Sequence, residues 1–160
     1  MTDLAPGRQI PNMLCRDIMR SPISCSETDP IDHCARLMRD CRIGFLPVLN
    51  AREQLVGVLT DRDLALRILA EGRPAATEAG AVMTRPPVTC SPEDRLKDAE
   101  DKLVKSRKSR IVVVDRGGTC AGIISLSDIA QAESKRRVGG VFKEVTRREA
   151  PVCEEGELDL

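Results

Sequence analysis

The chain has almost no aromatic side chains. It has no tryptophan and no tyrosine, and its two phenylalanines are Phe45 and Phe142. Proteins that bind single-stranded nucleic acid commonly stack the bases on aromatic rings, and this sequence offers almost no platform of that kind. If a nucleobase binds to this chain, aliphatic side chains must sandwich it.

An excess of positive charge is also absent, because 25 Lys and Arg residues balance 25 Asp and Glu residues. Binding to nucleic-acid phosphates usually requires a clear basic excess. One basic cluster near the C-terminus keeps this function open as an alternative; it consists of Lys135, Arg136, Arg137, Lys143, Arg147 and Arg148. We interpret the cluster as a solvated helix face and tail, and we expect no nucleic-acid partner.

Long hydrophobic runs are missing as well, and none approaches the ~20 apolar residues that cross a bilayer. The segment Met1–Asn12 has neither the basic start nor the apolar stretch of a secretory signal. We therefore expect no membrane partner and a cytoplasmic location. With 41% hydrophobic and 31% charged residues, the composition is typical of a globular chain.

The seven cysteines form no recognisable pattern. Their number is odd and no CxxC occurs, so a disulfide framework is not predicted. Cys15, Cys25, Cys34 and Cys41 lack the ligand spacing of a zinc site, and we expect no metal. Cys34 and Cys41 fall on the apolar stripe of a predicted helix, where we interpret them as small buried hydrophobic residues.

A catalytic centre is not predicted either. His33 precedes Cys34 directly, and neighbouring residues on a helix do not share a face, so this pair does not form a nucleophile and its base. No paired carboxylates or glycine-rich phosphate loop occurs, and Gly117–Gly118 is typical of a hairpin turn. We expect no enzyme and no catalytic residues.

The sequence does contain an internal repeat, and this is its most informative feature. Ile18–Pro22 aligns with Val82–Pro86, and after one extra residue, Pro87, the alignment continues. The later matches are Ile23–Ser26 with Val88–Ser91, Leu46–Asn50 with Ile111–Asp115, Gly57–Thr60 with Gly122–Ser125, and Asp63–Ala65 with Asp128–Ala130. A single gap over this length indicates a duplication.

Both copies predict the element order β-α-β-β-α. Strands are predicted around Ile23 and Val88, over Phe45–Leu49 and Ile111–Val114, and over Leu55–Leu59 and Thr119–Ile124. Helical spacing relates Ile31, Cys34, Ala35, Met38 and Cys41 in one copy, and Leu96, Ala99 and Leu103 in the other. Asp29 and Ser91, each followed by proline, are predicted to cap these helices. A final helix should begin just after Thr60 and just after Ser125.

The repeat predicts an α+β fold of tandem units packed sheet to sheet with pseudo-two-fold symmetry, because one unit of about fifty residues cannot bury its apolar face alone. We place the first unit at 14–72 and the second at 73–137, with Gly72–Gly80 as the connection. The segments 1–13 and 138–160 show little periodicity, and we expect them to be loose or partner-dependent tails.

Both copies place a hydroxyl and a carboxylate three residues apart where a strand leads into a helix: Thr60 with Asp63, and Ser125 with Asp128. This pattern fits a helix capping box. It also fits a binding site, since a helix start favours an anion and a carboxylate can accept hydrogen bonds from the hydroxyls of a ribose. Both interpretations remain open at this point.

The motifs resemble a known family. Phe45–Val48 followed by Gly57–Asp63 resembles the signature of a CBS domain, and Arg110–Val113 followed by Gly122–Asp128 resembles a second one. The chain is thus similar to a CBS pair, or Bateman module, over about Leu14–Arg136. The resemblance implies a regulatory sensor that binds AMP, ADP, ATP or S-adenosylmethionine between the lobes, requires no cofactor, forms a homodimer and acts on an unknown regulated protein.

The resemblance also implies roles for individual residues. Asp63 and Asp128 would hold the ribose, Thr60 and Ser125 would assist, and Arg62 would meet phosphate. The implied adenine contacts are Ile23, Ser24, Phe45, Leu46 and Pro47 at the first site, and Val88, Thr89, Ile111 and Val112 at the second.

Two positions depart from the family pattern. Ser127 stands where the first copy has Arg62, and Val112 stands where it has Pro47. A proline in a strand indicates an edge or an interrupted ladder. Lys108 and Arg110 are basic residues that the second copy offers instead. We expect the Asp63 site to be the more competent one. The alternative is a dimerising scaffold whose clefts bind nothing and whose capping boxes are purely structural.

Overall fold

The structure is a computed structural model that describes residues 12–132 and 135–147, without the side chains of residues 135–137. The first-copy elements are α1 (Cys15–Ile18), β1 (Cys25–Ser26), α2 (Ile31–Cys41), β2 (Phe45–Leu49), β3 (Leu55–Thr60) and α3 (Asp61–Leu64), which continues as a π-helical turn (Ala65–Leu69). The second-copy elements are α4 (Ala79–Val82), β4 (Thr89–Cys90), α5 (Leu96–Ser106), β5 (Arg110–Val114), β6 (Cys120–Ser125), α6 (Leu126–Ala132) and α7 (Lys135–Val145).

Each copy builds one three-stranded sheet, and the two sheets have the same topology. In the first lobe β1 runs parallel to β2, and β2 pairs antiparallel with β3. In the second lobe β4, β5 and β6 repeat this arrangement. Val48 lies opposite Gly57 and Val113 opposite Gly122, so even the register is shared. The predicted α+β repeat of β-α-β-β-α units is confirmed.

The helices α2 and α5 cover their own sheets with the stripes that the sequence predicts. Ile31, Cys34 and Met38 are buried in the first-lobe core, and α5 contributes Leu96, Ala99 and Leu103 to the second. The prediction for Cys41 is wrong, because this side chain is exposed. Cys41 is the last residue of α2, and the left-handed Arg42 (φ 54°) turns the chain away from the core.

The predicted helix caps are also wrong. Helix α2 begins at Ile31 after Pro30, and α5 begins at Leu96, well past Ser91. The backbone amide of Ser26 instead donates to Asp29 over 2.8 Å, and the amide of Ser91 donates to Asp94 over 3.0 Å. These carboxylates close a turn between strand and helix, because short polar side chains readily bond to nearby backbone groups.

Each lobe is completed by the segment that precedes the other repeat. Residues 13–20 dock on the second lobe, where the backbones of Arg20 and Ile123 exchange two hydrogen bonds of 3.0 Å. Residues 79–84 dock on the first lobe, where Thr84 and Val58 exchange bonds of 2.8 and 3.1 Å. We call 13–20 and 79–84 the crossing segments, because each connects one lobe to the sheet of the other.

The crossing segments approach so closely because a glycine lies beneath each. A Cβ atom added to Gly57 would lie 2.4 Å from Met83 Sδ, and one added to Gly122 would lie 2.9 Å from Met19 Sδ. Real Cβ atoms do not approach sulfur so closely. The glycines of the repeat therefore provide room for a neighbouring chain.

The two lobes face each other through the sheet surfaces that α2 and α5 leave open. Side chains alternate along a strand. Leu46 and Val48 point into the helix-side core, so Pro47 points toward the opposite face of the sheet. Pro47 is nevertheless almost completely buried. The Arg110 guanidinium of the second lobe lies 5.8 Å from the centre of the Phe45 ring of the first. The second lobe therefore covers this face of the first sheet.

Helix α7 corrects the expectation of a loose C-terminal tail. It extends into the predicted tail 138–160, and Val141 and Val145 pack on the second-lobe core. Residues 1–11 and 148–160 of the predicted tails lie outside the described residues, as do Arg148 and the side chains of Lys135, Arg136 and Arg137. Among the described helices, none is long and apolar enough to cross a bilayer.

Candidate functional site

Two cavities lie between the lobes, one at each motif carboxylate. The Asp63 cavity has a volume of about 330 Å³ and the Asp128 cavity about 390 Å³. Both volumes suit a small organic ligand. The Asp63 cavity is lined by Thr60, Arg62 and Asp63 of the first lobe and by Val88, Lys108 and Arg110 of the second, among others. The Asp128 cavity is lined by Ser125, Ser127, Asp128, Ile23, Arg42 and Phe45, among others.

Asp63 closes a capping box at the start of α3. Its Oδ2 atom accepts hydrogen bonds from the Thr60 amide (2.9 Å) and the Thr60 hydroxyl (2.7 Å), and its own amide donates to Thr60 Oγ1 over 3.1 Å. The other oxygen, Oδ1, accepts from the Thr84 hydroxyl at 3.2 Å and lies 3.3 Å from Arg67 Nη2. The structural interpretation of the motif is therefore correct, and Asp63, although buried, also lines the cavity.

Asp128 repeats the capping box, but a different side chain contacts its Oδ1 atom. Its Oδ2 atom accepts from the amide (2.9 Å) and hydroxyl of Ser125, while Oδ1 accepts from Arg20 Nε. Burial alone would raise the pKa of the Asp128 carboxyl, but hydrogen bonds from Ser125 and Arg20 outweigh it and hold that pKa below its usual value. Asp128 is therefore ionised at neutral pH.

Both cavities carry more positive than negative groups. The Asp63 cavity has the cations Arg62, Arg67, Lys108 and Arg110 around one acid. The Asp128 cavity has the cations Arg20, Arg42 and Arg110 around one acid. In such a site the buried acid can accept hydrogen bonds from hydroxyls, while the cations beside it bind an anionic group of the same ligand.

Phe45 and Arg110 lie at the boundary between the cavities and line both of them. They are the equivalent first residues of β2 and β5. Their contact across the pseudo-two-fold axis therefore lies between the two cavities, and both side chains belong to both linings.

The expected adenine contacts need two corrections. The first concerns the pairing of segments with sites, because Val88 lines the Asp63 cavity and Ile23 lines the Asp128 cavity. The crossing segments lead each early strand past the opposite lobe, so the contact comes from the other repeat. Lys108 likewise lines the cavity of Asp63 rather than that of its own repeat.

The second correction concerns residues that line neither of these cavities, within the described part of the chain. Leu46, Pro47, Ile111 and Val112 are almost completely buried in the sheets. Ser24 lines a separate hollow beside Asp29 and Asn50, and Thr89 lies within β4. Alternation along the strands turns Leu46 and Ile111 away from the cavities. Pro47 and Val112 share a strand face with Phe45 and Arg110, but they are buried beneath the opposite lobe.

Pro47 does not mark a sheet edge, since β2 is the central strand. It does interrupt the ladder. At the equivalent position the Val112 amide donates to the Val88 carbonyl over 3.1 Å, and proline has no N–H to make this bond. Ile23 is the residue equivalent to Val88, so the missing bond is the one that the Ile23 carbonyl would accept. Ile23 lines the Asp128 cavity.

Three residues that were not predicted as site residues contact the Oδ1 atoms of the motif carboxylates, namely Arg20, Thr84 and Arg67. A signal for two of them was present, because Arg20 and Thr84 are equivalent polar positions that directly follow two apolar residues in the matching segments. Their approach to a carboxylate of the other repeat depends on the crossing of the chain, which local patterns do not indicate.

None of the six cysteines among the described residues lines either of the two cavities. Cys25 contacts Cys34, and Cys15 contacts Cys90; this thiol hydrogen bond, together with burial, raises the pKa of Cys25 and of Cys15 far above the usual value. Within the described residues, no group of three His, Cys, Asp or Glu side chains could hold a metal ion.

A family model of the CBS domain matches residues 15–70 and again residues 79–135. The chain belongs to the CBS domain family. Both matches contain the hydroxyl–carboxylate motif, and each CBS repeat contributes one wall to each cavity.

The similarity extends over most of a CBS pair in several proteins. CBS domain-containing protein YhcV of Bacillus subtilis is 32% identical over 126 residues, which are 78% of this chain and 89% of that protein. The CBS domain pair of protein MJ0100, in complex with 5′-methylthioadenosine and S-adenosyl-L-methionine, is 27% identical with a TM-score of 0.67, covering 81% of this chain and 98% of that chain. CBSX2 in complex with AMP is 25% identical with a TM-score of 0.66, covering 75% and 95%.

Other relatives are longer than this chain. The chain spans 59% of the length of a Methanopyrus kandleri protein to which it is 29% identical. It spans 23% of the length of an inosine-5′-monophosphate dehydrogenase of Korarchaeum cryptofilum, over a match of 117 residues. The similarity to that enzyme therefore concerns a small part of it, and its activity does not carry over.

Proposed function

We propose that this CBS pair is a regulatory module that binds an adenosine-type nucleotide (AMP, ADP, ATP or S-adenosylmethionine) between its repeats and signals to another protein without catalysing a reaction. The observation that carries this proposal is the buried carboxylate of Asp63, which lines a cavity together with four basic residues. Solved CBS pairs of similar fold, in complex with 5′-methylthioadenosine and S-adenosylmethionine or with AMP, support this ligand class.

The chemistry of the lining matches the parts of such a ligand. A carboxylate oxygen can accept hydrogen bonds from ribose hydroxyls, and guanidinium groups such as Arg62 pair well with phosphate. Apolar walls for a base come from Val58, Leu66 and Val88 in the Asp63 cavity. In the Asp128 cavity they come from Ile23, Ile43 and Ile123.

Thermal unfolding with AMP, ADP, ATP and S-adenosylmethionine tests the proposal. A ligand at a hundredfold its Kd should stabilise the fold by about 2.7 kcal/mol. The variants Asp63→Asn and Asp128→Asn keep an oxygen for the capping box but lose the acceptor toward the cavity, so each should remove one of two sites in a calorimetric titration.

Asp101→Asn is the matched control, because Asp101 is an exposed acid on α5 that lines neither cavity. This variant should retain both sites. If none of the four ligands changes the melting temperature of the folded wild-type protein, the proposal is wrong.

A ligand-free dimerisation scaffold is the second candidate, and the exposed leucines of the π-helical turn favour it. Leu66 is 51% and Leu69 79% exposed, and exposed apolar patches commonly mark contact surfaces. We expect a homodimer in sedimentation velocity, and Leu69→Glu should weaken it. A dimer that ignores all four nucleotides would identify the scaffold, whereas a monomer would exclude it.

A further inference from the structure

The residue that faces the motif carboxylate differs between the two cavities. Arg20 and Thr84 occupy equivalent positions at the ends of the crossing segments, as their backbone pairing with Ile123 and Val58 shows. Arg20 places a cationic side chain on Asp128, whereas Thr84 places a neutral hydroxyl near Asp63.

This difference determines how easily a ribose can reach the acid. In both sites the capping box uses Oδ2, so Oδ1 is the acceptor that remains for a ligand. At Asp63 the Thr84 hydroxyl lies 3.2 Å away, at the long end of hydrogen-bond distances. At Asp128 the same atom is held by the charged Nε of Arg20, and charge-assisted hydrogen bonds are about twice as strong as neutral ones.

Arg67 does not give Asp63 the same protection. Its Nη2 atom lies 3.3 Å from Asp63, but its Nη1 atom donates to the Val82 carbonyl and anchors the side chain beside the acid. Arg20 is more exposed, with 65% of its side chain accessible against 40% for Arg67. The Arg20 side chain is therefore the more accessible to solvent of the two.

We infer that Arg20 makes the Asp128 cavity selective for nucleotides that carry a phosphate. When a ribose displaces the Arg20 guanidinium from Asp128, a phosphate of the same ligand provides the guanidinium with a new anionic partner. This inference rests on the proposed function. A neutral nucleoside would have to break the Arg20–Asp128 ion pair and would give Arg20 no new partner. At the Asp63 cavity Thr84 stands in place of Arg20, and Arg67 keeps the Val82 carbonyl as a second partner if a ribose takes its place on Asp63. The Asp63 cavity should therefore bind nucleosides with or without phosphate.

Titration calorimetry with AMP and adenosine tests the inference one cavity at a time. In the Asp63→Asn background only the Asp128 cavity remains. Adenosine should bind there at least about tenfold more weakly than AMP, because hydrogen bonds to charged groups are stronger than neutral ones. Adding Arg20→Thr, which copies the other repeat, should strengthen adenosine binding by about tenfold and weaken AMP binding. The reciprocal Thr84→Arg in the Asp128→Asn background should weaken adenosine binding to the Asp63 cavity.

The gain of adenosine affinity is the decisive readout, because loss of a cation by itself would not produce it. Arg42→Asn removes another arginine of the same cavity, with a residue that tolerates the left-handed backbone, and should weaken AMP without improving adenosine. Arg20→Gln provides a second variant of similar length. If adenosine binding is unchanged or weaker in both Arg20 variants, the inference is wrong while the proposed function stands. If neither ligand binds either cavity and the four-nucleotide panel also fails, both are wrong.

Discussion

The first lobe receives the crossing segment of Thr84 over Gly57, and the second lobe receives that of Arg20 over Gly122. The backbones of these two regions match in topology, register and hydrogen bonding. The side chains that reach the cavities do not match, since a hydroxyl in one lobe corresponds to a guanidinium in the other. At these two positions duplication has thus kept the backbone geometry and varied the side chain that contacts the motif carboxylate.

The largest expected effect comes from placing a side chain at the two glycines beneath the crossing segments. Gly57→Val should destabilise the protein by about 1–3 kcal/mol, because overpacking forces Met83 and the Thr84 backbone away. Gly122→Val should have the smaller effect, since the nearest Met19 atom lies 2.9 Å from the added Cβ rather than 2.4 Å. Chemical denaturation measures both changes.

Gly139→Ala is the control for these substitutions. Gly139 lies within α7 with open space around it, so alanine should stabilise the helix by up to about 1 kcal/mol. Equal losses of stability in all three variants would show that the crossing contacts do not require glycine.

An exchange of Arg62 and Ser127 would sharpen the electrostatic difference between the cavities. If the proposed ligands bind, Arg62→Ser should weaken AMP at the Asp63 cavity by about tenfold, because a charged hydrogen bond to phosphate is lost. Ser127→Arg should strengthen AMP at the Asp128 cavity. Calorimetry in the Asp128→Asn and Asp63→Asn backgrounds separates the sites, and no change in either would show that these side chains do not reach the phosphate.

Acidification should affect the Asp128 cavity in a defined direction. The pKa of Asp128 lies below its usual value in the folded protein, so its ionised form contributes stability at neutral pH that is lost as the pH falls below about 4. The stability difference between wild type and Asp128→Asn should shrink between about pH 5 and about pH 2.

A carboxyl titration by NMR provides the direct measurement for this site. Arg20→Gln should move the pKa of Asp128 upward, because one of the hydrogen bonds that stabilise the carboxylate is removed. An unchanged pKa would show that Arg20 does not hold the acid in solution, and it would weaken the contrast with Thr84.

The smallest expected difference between the lobes concerns thiol reactivity. Burial raises the pKa of Cys120 in the second lobe to about 11, whereas Cys41 at the end of α2 is exposed. At pH ~8 an alkylating reagent should label Cys41 at least about tenfold faster than Cys120, since the thiolate is the reactive form. Peptide mass spectrometry resolves the two sites, and equal rates that become no faster in urea would contradict the burial.

Most of the fold could be predicted because it follows from periodicity and duplication. The stripes of α2 and α5 and the strand pairs appear in the sequence as repeated local patterns. The caps at Asp29 and Ser91 were predicted wrongly, because a short polar side chain that closes a turn and one that caps a helix are the same residue types within a few positions. Cys41 was misplaced because apolar spacing does not show where a helix leaves its sheet.

The candidate site was harder to predict than the fold. The capping boxes of Asp63 and Asp128 are local, and the sequence located both. The pairing of Val88 with Asp63 and of Ile23 with Asp128 depends on the crossing segments, which involve residues far apart in the chain. The roles of Arg20 and Thr84 have the same origin, so their equivalence was visible but their partners were not.

The crossing segments have a consequence for the smallest unit that can exist by itself. A fragment ending before residue 79 would leave the outer edge of the first sheet bare at Val58, and its own leading residues 13–20 would lose the lobe on which they dock. A molecule with a single repeat would have to borrow this strip of backbone from a second molecule. The duplicated chain supplies both strips to itself, so each half extends the sheet of the other.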